Sequence, residues 1–314
     1  MTVSEVVTFG EPMALLLAER DLPLDAATGF AWSIAGAESN LAIGLARLGH
    51  SVAYAGRVGD DVFGARIRRE LRAEGIDVTG LITDPELPTG LLIRDSPVDR
   101  PITVHYRRSG SASTGYGVDD LPGTAIRSAR LLHLTGITAA LSESSFQACK
   151  TAMIMAREAG VAVSFDPNLR LRLAGPDEWA RIVDELARHA DLIFVGADEA
   201  TMITGGAPTE KWFFERGAGT VVIKDGGNGA VEHTPDSSTA VGVRRVPLVD
   251  PVGAGDAFNT GWLSAWLRGL PVDRRLAEGA AVASLVVATH GDATGLPDAA
   301  TRDRVLAEGA DIDR

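Results

Sequence analysis

Asp250-Pro251-Val252-Gly253-Ala254-Gly255-Asp256-Ala257-Phe258 sets three small residues, Gly253 to Gly255, at the start of Gly255 to Arg268, a stretch that reads as an amphipathic helix. Without bulky side chains, backbone N–H groups at a helix N-terminus can converge on an anion. The carboxylate that follows, Asp256, makes sense at such a place if it accepts a proton from a nucleophile approaching phosphorus. An alcohol is too weak an acid to be ionised beforehand, so in a loose transition state Asp256 would mainly orient the hydroxyl. The combination points to phosphoryl transfer. On this segment alone, an ordinary first-turn acid paired with the helix dipole explains Asp256 equally well.

Working outward, short apolar runs alternate with longer helical patterns. Val6 to Phe9, Val52 to Ala55, Leu131 to Leu134, Val161 to Phe165, Leu192 to Val195 and Val221 to Ile223 read as buried strands of a mostly parallel sheet. Between them, Asp61 to Glu74 carries Val62, Phe63, Ile67 and Leu71 on one face. Further helices are predicted for Glu38 to Leu48, Ser142 to Glu158, Asp177 to His189, Gly255 to Arg268 and Asp273 to Thr289. The fold class is therefore α/β, with helices on both faces of the sheet. Two segments break the rhythm, at about 12–34 and 88–110, where alternation such as Ile102, Val104, Tyr106 predicts a small antiparallel excursion. At about 150 residues per domain the 314 residues would allow two, but single α/β domains reach this size. No linker or composition shift divides the chain, and a single domain over 1–314 is expected.

Composition removes several function classes. A net charge of −12 works against gripping phosphate backbones, so nucleic acid is not an expected partner. The longest apolar stretch, around Ala280 to Ala288, is far below the ~20 residues needed to span a bilayer, and no membrane partner is expected. One cysteine, Cys149, cannot form an internal disulfide, and the start MTVSEVVTFG lacks the parts of a signal peptide. Both point to the cytoplasm. No Gly-Lys dipeptide occurs, which removes a Walker A loop, and Gly56 to Gly64 has the wrong spacing for a dinucleotide fingerprint. The six histidines show no metal-ligand spacing and no nucleophile elbow is present.

Gly36-Ala37-Glu38-Ser39-Asn40-Leu41-Ala42, with Ala46-Arg47-Leu48-Gly49 and Gly56 to Gly64, resembles the N-terminal signature of the ribokinase-like (PfkB) carbohydrate kinases. Asp250 to Phe258 resembles their C-terminal signature, and the likeness runs from Phe9 to Asp292. Within that family, Pro88-Thr89-Gly90, Tyr106-Arg107-Arg108, Leu132 to Ile137, Asp166 to Arg170 and His290-Gly291-Asp292 are most similar to 2-keto-3-deoxygluconate kinases. A sugar acid carries a carboxylate, which the planar paired donors of arginine are suited to grip.

The resemblance implies a ribokinase-like fold with a small β-sheet lid, and ATP and Mg²⁺ as cofactors. Gly253, Ala254 and Gly255 would form the anion hole and Asp256 would be the base. Gly36, Asn40, Arg107 and Arg170 would hold the sugar acid together with Asp256. Lys224, Gly226, Gly229, Gly255 and Asp292 would bind nucleotide. Glu199 would act on Mg²⁺ through water, and Asp250 and Val252 would form a monovalent-cation loop for an ion such as K⁺. Read without the resemblance, the glycines serve a hairpin turn and Asp250 an ordinary turn.

Three positions depart from the pattern. Gly196 stands where the family has asparagine, three residues before Glu199, while Leu92 and His105 stand where sugar-acid kinases often present aromatic hydroxyls. The expected activity is ATP-dependent phosphorylation of a primary hydroxyl, that of 2-keto-3-deoxygluconate. The alternatives are a kinase for a neutral sugar such as fructose or ribose, or a non-catalytic sugar- or nucleotide-binding regulator. Apolar lid positions such as Ile93 and Ile102 favour pairing with a second copy, so a homodimer or higher homo-oligomer is expected.

Overall fold

The computed structural model describes residues 3–19, 22–95, 97 and 100–312. Positions 20, 21, 96, 98 and 99 of the two predicted excursions lie outside them. The strands are β1 (Val6–Phe9), β2 (Met13–Ala18), β3 (Phe30–Ala35), β4 (Val52–Gly59), β5 (Leu81–Asp84), β6 (Leu91–Arg94), β7 (Val104–Arg107), β8 (Leu131–Thr135), β9 (Ala162–Asp166), β10 (Leu192–Gly196), β11 (Thr220–Lys224), β12 (Ala230–Thr234) and β13 (Ser237–Val241). Nine form one sheet in the order β13-β12-β11-β10-β9-β8-β1-β4-β5, and β3-β2-β6-β7 form a second. From β11 to β5 every pairing is parallel, and β12 and β13 close the other edge as an antiparallel hairpin.

The helices are α1 (Ala37–Arg47), α2 (Val62–Ala73), α3 (Gly123–Ser128), α4 (Gly136–Ala139), α5 (Glu143–Glu158), α6 (Pro176–Ala187), α7 (Ala197–Thr204), α8 (Thr209–Phe214), α9 (Ala254–Leu267), α10 (Val272–Val287) and α11 (Ala299–Ile312). Alternate strand residues serve two cores. Val7, Leu132, Val163 and Ile193 pack with Phe146 and Met153 of α5 and Trp179 and Ile182 of α6. On the other face Val6, Leu131 and Phe194 pack with Leu41 of α1, Ile67 of α2 and Trp262 of α9. Burial on both faces explains why the parallel strands read as unbroken apolar runs. At the start of α2, Asp61 accepts the N–H groups of Phe63 and Gly64 and also that of Thr89, so one carboxylate caps the helix and anchors the approach to the small sheet.

The predicted fold class holds, with helices on both faces and a small second sheet from the two excursions. Strand β4 runs four residues further than the apolar run suggested, and β9 is displaced by one. The hairpin β12–β13 is not anticipated, because Ser237-Ser238-Thr239 is polar and its connection, Pro235-Asp236, is not the usual glycine turn. No helix of the described residues is long and apolar enough to cross a membrane.

Candidate active site

A cavity of about 1300 Å³ opens between the C-terminal ends of the parallel strands, the start of α9 and the small sheet. Carboxyl-end crevices are where open α/β sheets hold ligands. The volume exceeds the usual 300–1,000 Å³ or so of a single-ligand pocket, which leaves room for two ligands side by side.

Its floor is the segment that opened the sequence analysis. Gly253 precedes α9 in the left-handed region, at φ 82°, and a Cβ there would stand 2.6 Å from the backbone oxygen of Asp292. The Ala254 N–H is turned back onto the Pro251 carbonyl at 3.3 Å, and Gly255 and Asp256 follow it along the cavity wall. Asp256, one turn in, accepts a 2.9 Å hydrogen bond from Asn40 Nδ2 of α1. Burial pushes the Asp256 carboxyl up to about 7; donation from Asn40 opposes this, the Asp166 charge adds to it, and Lys224 and Arg170 pull it down.

Lys224, at the end of β11, reaches the same floor. Its Nζ lies 2.7 Å from Asp166 Oδ2 and 3.2 Å from Asn259 Oδ1, and a Cβ on Gly255 would stand 3.5 Å from it. An ammonium is thus held over the N-terminus of α9, by two partners that the sequence analysis did not select. Asn259 lies three residues beyond Asp256, on the same helical face, and that spacing was the available signal.

Glu199 lines the cavity and accepts the N–H groups of Leu169 and Gly196. Burial and the neighbouring Asp166 raise its pKa. With Gly196 lacking a side chain, only its backbone contributes here. Arg170 stands at the mouth, 3.9 Å from Glu199 and about half exposed. Gly36 and Asn40 line the cavity, as do Gly226 and Gly229; a Cβ on Gly226 would meet nothing, whereas at Gly229 it would strike the Val241 backbone oxygen.

Arg107 is not brought to the cavity. Along β7 successive side chains alternate, so Val104, Tyr106 and Arg108 face the cavity while His105 and Arg107 lie exposed on the other side of the sheet. The guanidinium in the cavity is therefore that of Arg108, ion-paired with buried Glu11 and 5.4 Å from the Tyr106 ring centroid. Tyr106 pairs across the sheet with Leu92, so an aromatic hydroxyl does face the cavity, one residue beyond the position expected at His105. Arg108 Nε and Asn40 Oδ1 are buried without hydrogen-bond partners.

Asp250 and Val252 do not leave an open cation loop. Asp250 Oδ2 receives Arg94 Nη2 at 2.7 Å, and Oδ1 receives the Val252 N–H. The same Arg94 nitrogen lies 2.6 Å from Asp292 Oδ1, and burial raises the pKa of Asp292 against the pull of that arginine.

Comparison with known proteins gives the chain a family. The description "pfkB family carbohydrate kinase" matches residues 3–299. The chain belongs to the pfkB family of carbohydrate kinases. Among curated relatives, the 2-dehydro-3-deoxygluconokinase of Bacillus subtilis (strain 168) is 37% identical over 308 residues, covering 96% of this chain and 94% of that protein. Among solved structures, the PfkB protein from Polaromonas sp. JS666 is 38% identical with a TM-score of 0.87, over 96% of this chain and 99% of that one. A fructokinase from Vibrio cholerae O395, solved with fructose, ADP and calcium ion, is 26% identical with a TM-score of 0.85, over 97% and 99%.

The residues of this pfkB kinase fit a magnesium nucleotide. Gly226 and Gly227 leave backbone open to the cavity, Ala280 and Ala283 of α10 leave an apolar slot beside it, and Lys224 supplies a cation over the helix N-terminus. Among the described residues no cluster of three acidic, histidine or cysteine side chains could hold a metal alone. An ion there would be carried mainly by phosphates and water, with Glu199 within reach of its water shell.

Proposed function

We propose that this carbohydrate kinase takes 2-keto-3-deoxygluconate and transfers the γ-phosphate of ATP to its primary hydroxyl, giving the 6-phospho product. The observation that carries this reading is the pair of unpartnered atoms in the cavity of Asp256. Arg108, ion-paired with Glu11 through Nη2, keeps Nε as a buried donor without a partner, and Asn40 Oδ1 is a buried acceptor without one; leaving such groups unpaired costs about 1–3 kcal/mol each. A sugar acid satisfies both, its carboxylate meeting the guanidinium and a hydroxyl meeting the amide oxygen. The resemblance of Bacillus subtilis 2-dehydro-3-deoxygluconokinase, the same activity under another name, supports the choice.

In this reading Asn40 holds the Asp256 carboxylate toward the substrate hydroxyl. As the hydroxyl oxygen bonds to the γ-phosphorus, the bond to the β-phosphate oxygen breaks, ADP leaves, and Asp256 takes the hydroxyl proton. The N–H groups at the start of α9 and the Lys224 ammonium stabilise the equatorial oxygens where charge accumulates. Glu199 would hold Mg²⁺ through water, and the ion would supply neutralisation of the phosphate charge. The small sheet, through Leu92, Tyr106 and Arg108, roofs the sugar and keeps water from competing for the phosphoryl group.

The test is ADP release with Mg-ATP and a panel of 2-keto-3-deoxygluconate, its C4 epimer, gluconate, fructose, ribose and no sugar. Turnover with a keto-deoxy acid at least tenfold above every neutral sugar is expected. Preference for fructose or ribose would discard the roles given to Arg108 and Arg170 while keeping Asp256, and silence with all would favour a binding regulator.

A further inference from the structure

Arg94 ends β6 in the small sheet, yet its guanidinium lies inside the floor of the active site and is only 1% exposed. One nitrogen, Nη2, donates to Asp250 Oδ2 at 2.7 Å and to Asp292 Oδ1 at 2.6 Å, and Nη1 donates to the Asp95 carbonyl at 3.1 Å. Asp250 also accepts the N–H groups of Val252 and Gly291. Both carboxylates belong to the frame of the anion hole. Asp250 begins the loop that ends at Gly253, and the Asp292 backbone packs so closely on Gly253 that no Cβ would fit between them.

We propose that Arg94 is the resident cation of this site: its guanidinium takes the charge position between Asp250 and Asp292, so that the chain holds its anion hole in shape without a bound monovalent ion. The residues present do not fit such an ion. Potassium is held by a shell of converging oxygens, and here the oxygens that converge from Asp250 and Asp292 are already on a guanidinium, whose charge repels a second cation at contact distance. Arginine suits the place because it stays protonated when buried and offers several fixed donors. Arg94 acts through the loop and not on the substrate, which makes it a positioning residue. Because it is also part of the small sheet, it ties the roof of the sugar site to the floor of the phosphate site. The inference rests on membership of the kinase family and is independent of which sugar is taken.

Two measurements test it. The first uses no sugar and no nucleotide: thermal unfolding of the parent and of Arg94→Met, with KCl against tetramethylammonium chloride at equal ionic strength. The parent should show the same midpoint in both salts, while Arg94→Met, with two uncompensated carboxylates, should be stabilised by potassium over tetramethylammonium. The second is turnover with the accepted sugar in the same two salts. The parent should differ by less than twofold, and Arg94→Met should lose at least tenfold in kcat with part of it returned by potassium. A severalfold potassium activation of the parent, or a potassium-specific shift of its midpoint, overturns the proposal. An Arg94→Met enzyme of full activity and no salt response does so equally. Should Arg94→Met not fold, the parent's two salt comparisons still decide, and Arg94→Lys, which retains the charge, should remain indifferent to potassium.

Discussion

Asp256 carries opposed demands. In the role proposed for it, the site would gather N–H groups and an ammonium for phosphate, while Asp256 as base would have to stay anionic beside that phosphate and accept a proton late in the reaction. Burial resolves this by raising its affinity for a proton to near neutrality. With a pKa of about 7, kcat/KM should fall on the acid side with an apparent pKa near that value, measured from pH 5.5 to 8.5. Asp256→Asn should cut turnover by about 10²–10⁴-fold, the usual share of a positioned acid–base group; a loss below tenfold removes the base assignment. The same substitution should act on stability in the other direction. The native state binds this proton more tightly than the unfolded chain does, so stability declines as pH rises from the ordinary carboxylate range towards 7. Asp256→Asn lacks that cost, and its unfolding midpoint should exceed the parent's at pH 8, with the gap closing towards pH 4. A second residue-scale prediction follows from strand parity. Arg108→Ala should raise KM for the sugar acid at least tenfold, whereas Arg107→Ala, on the exposed face, should change it less than twofold. Steady-state kinetics of the two variants separates them, and an equal effect from both would mean that the small sheet is read in the wrong register.

Elements place these residues, and two glycines before helices show what placement requires. Gly253 precedes α9 at φ 82° against the Asp292 backbone, while Gly175 precedes α6 at φ −74° with open space around it. Gly253→Ala should lower stability by about 1–3 kcal/mol through left-handed strain, with the added clash reducing kcat at least tenfold. Gly175→Ala should leave both nearly unchanged, as followed by denaturant unfolding and ADP release. The parallel strands and their covering helices were legible because burial on both faces leaves a simple apolar signature. The loop before α9 was legible as a candidate because small residues and an acid at a helix start suit an anion, although the segment alone fitted an ordinary first-turn acid equally well. Two classes of feature were not. Arg94 meets Asp250 and Asp292 across separations of 156 and 198 residues, and no local pattern signals a partner at that range. Arg108, by contrast, is within reach of the sequence: alternation from Val104 and Tyr106 points to it and away from Arg107.

At the scale of the whole molecule, the small sheet has two faces with different fates. The inner face, with Met13, Leu15, Leu17 and Leu92, is buried over the cavity. By alternation Leu16, Trp32 and Ile93 share the outer face, with Phe30 43% exposed at its edge and Ile93 partly buried; Trp32 is covered by the Arg66 guanidinium at 3.9 Å. On this outer face Ala14 and Ala18 are fully buried and Ile34 packs with Ile67 of α2, so the part toward Leu16, Phe30 and Ile93 is what remains for a further layer. A second copy of the chain would supply one through a closed, self-complementary contact, and the protein is then expected to sediment at twice the chain mass at micromolar concentration. Ile93→Glu would place a charge at the centre of that contact, away from Leu92 and Arg94 on the inner face, and should shift the protein to monomer. If roofing the sugar depends on that second layer, the monomeric variant should also show a raised KM for sugar with KM for ATP unchanged, because the slot proposed for the nucleotide is lined by α10 and the large sheet. A parent that sediments as a monomer at all concentrations would remove the contact. A monomeric Ile93→Glu with unchanged KM values would show that each copy closes over its substrate alone.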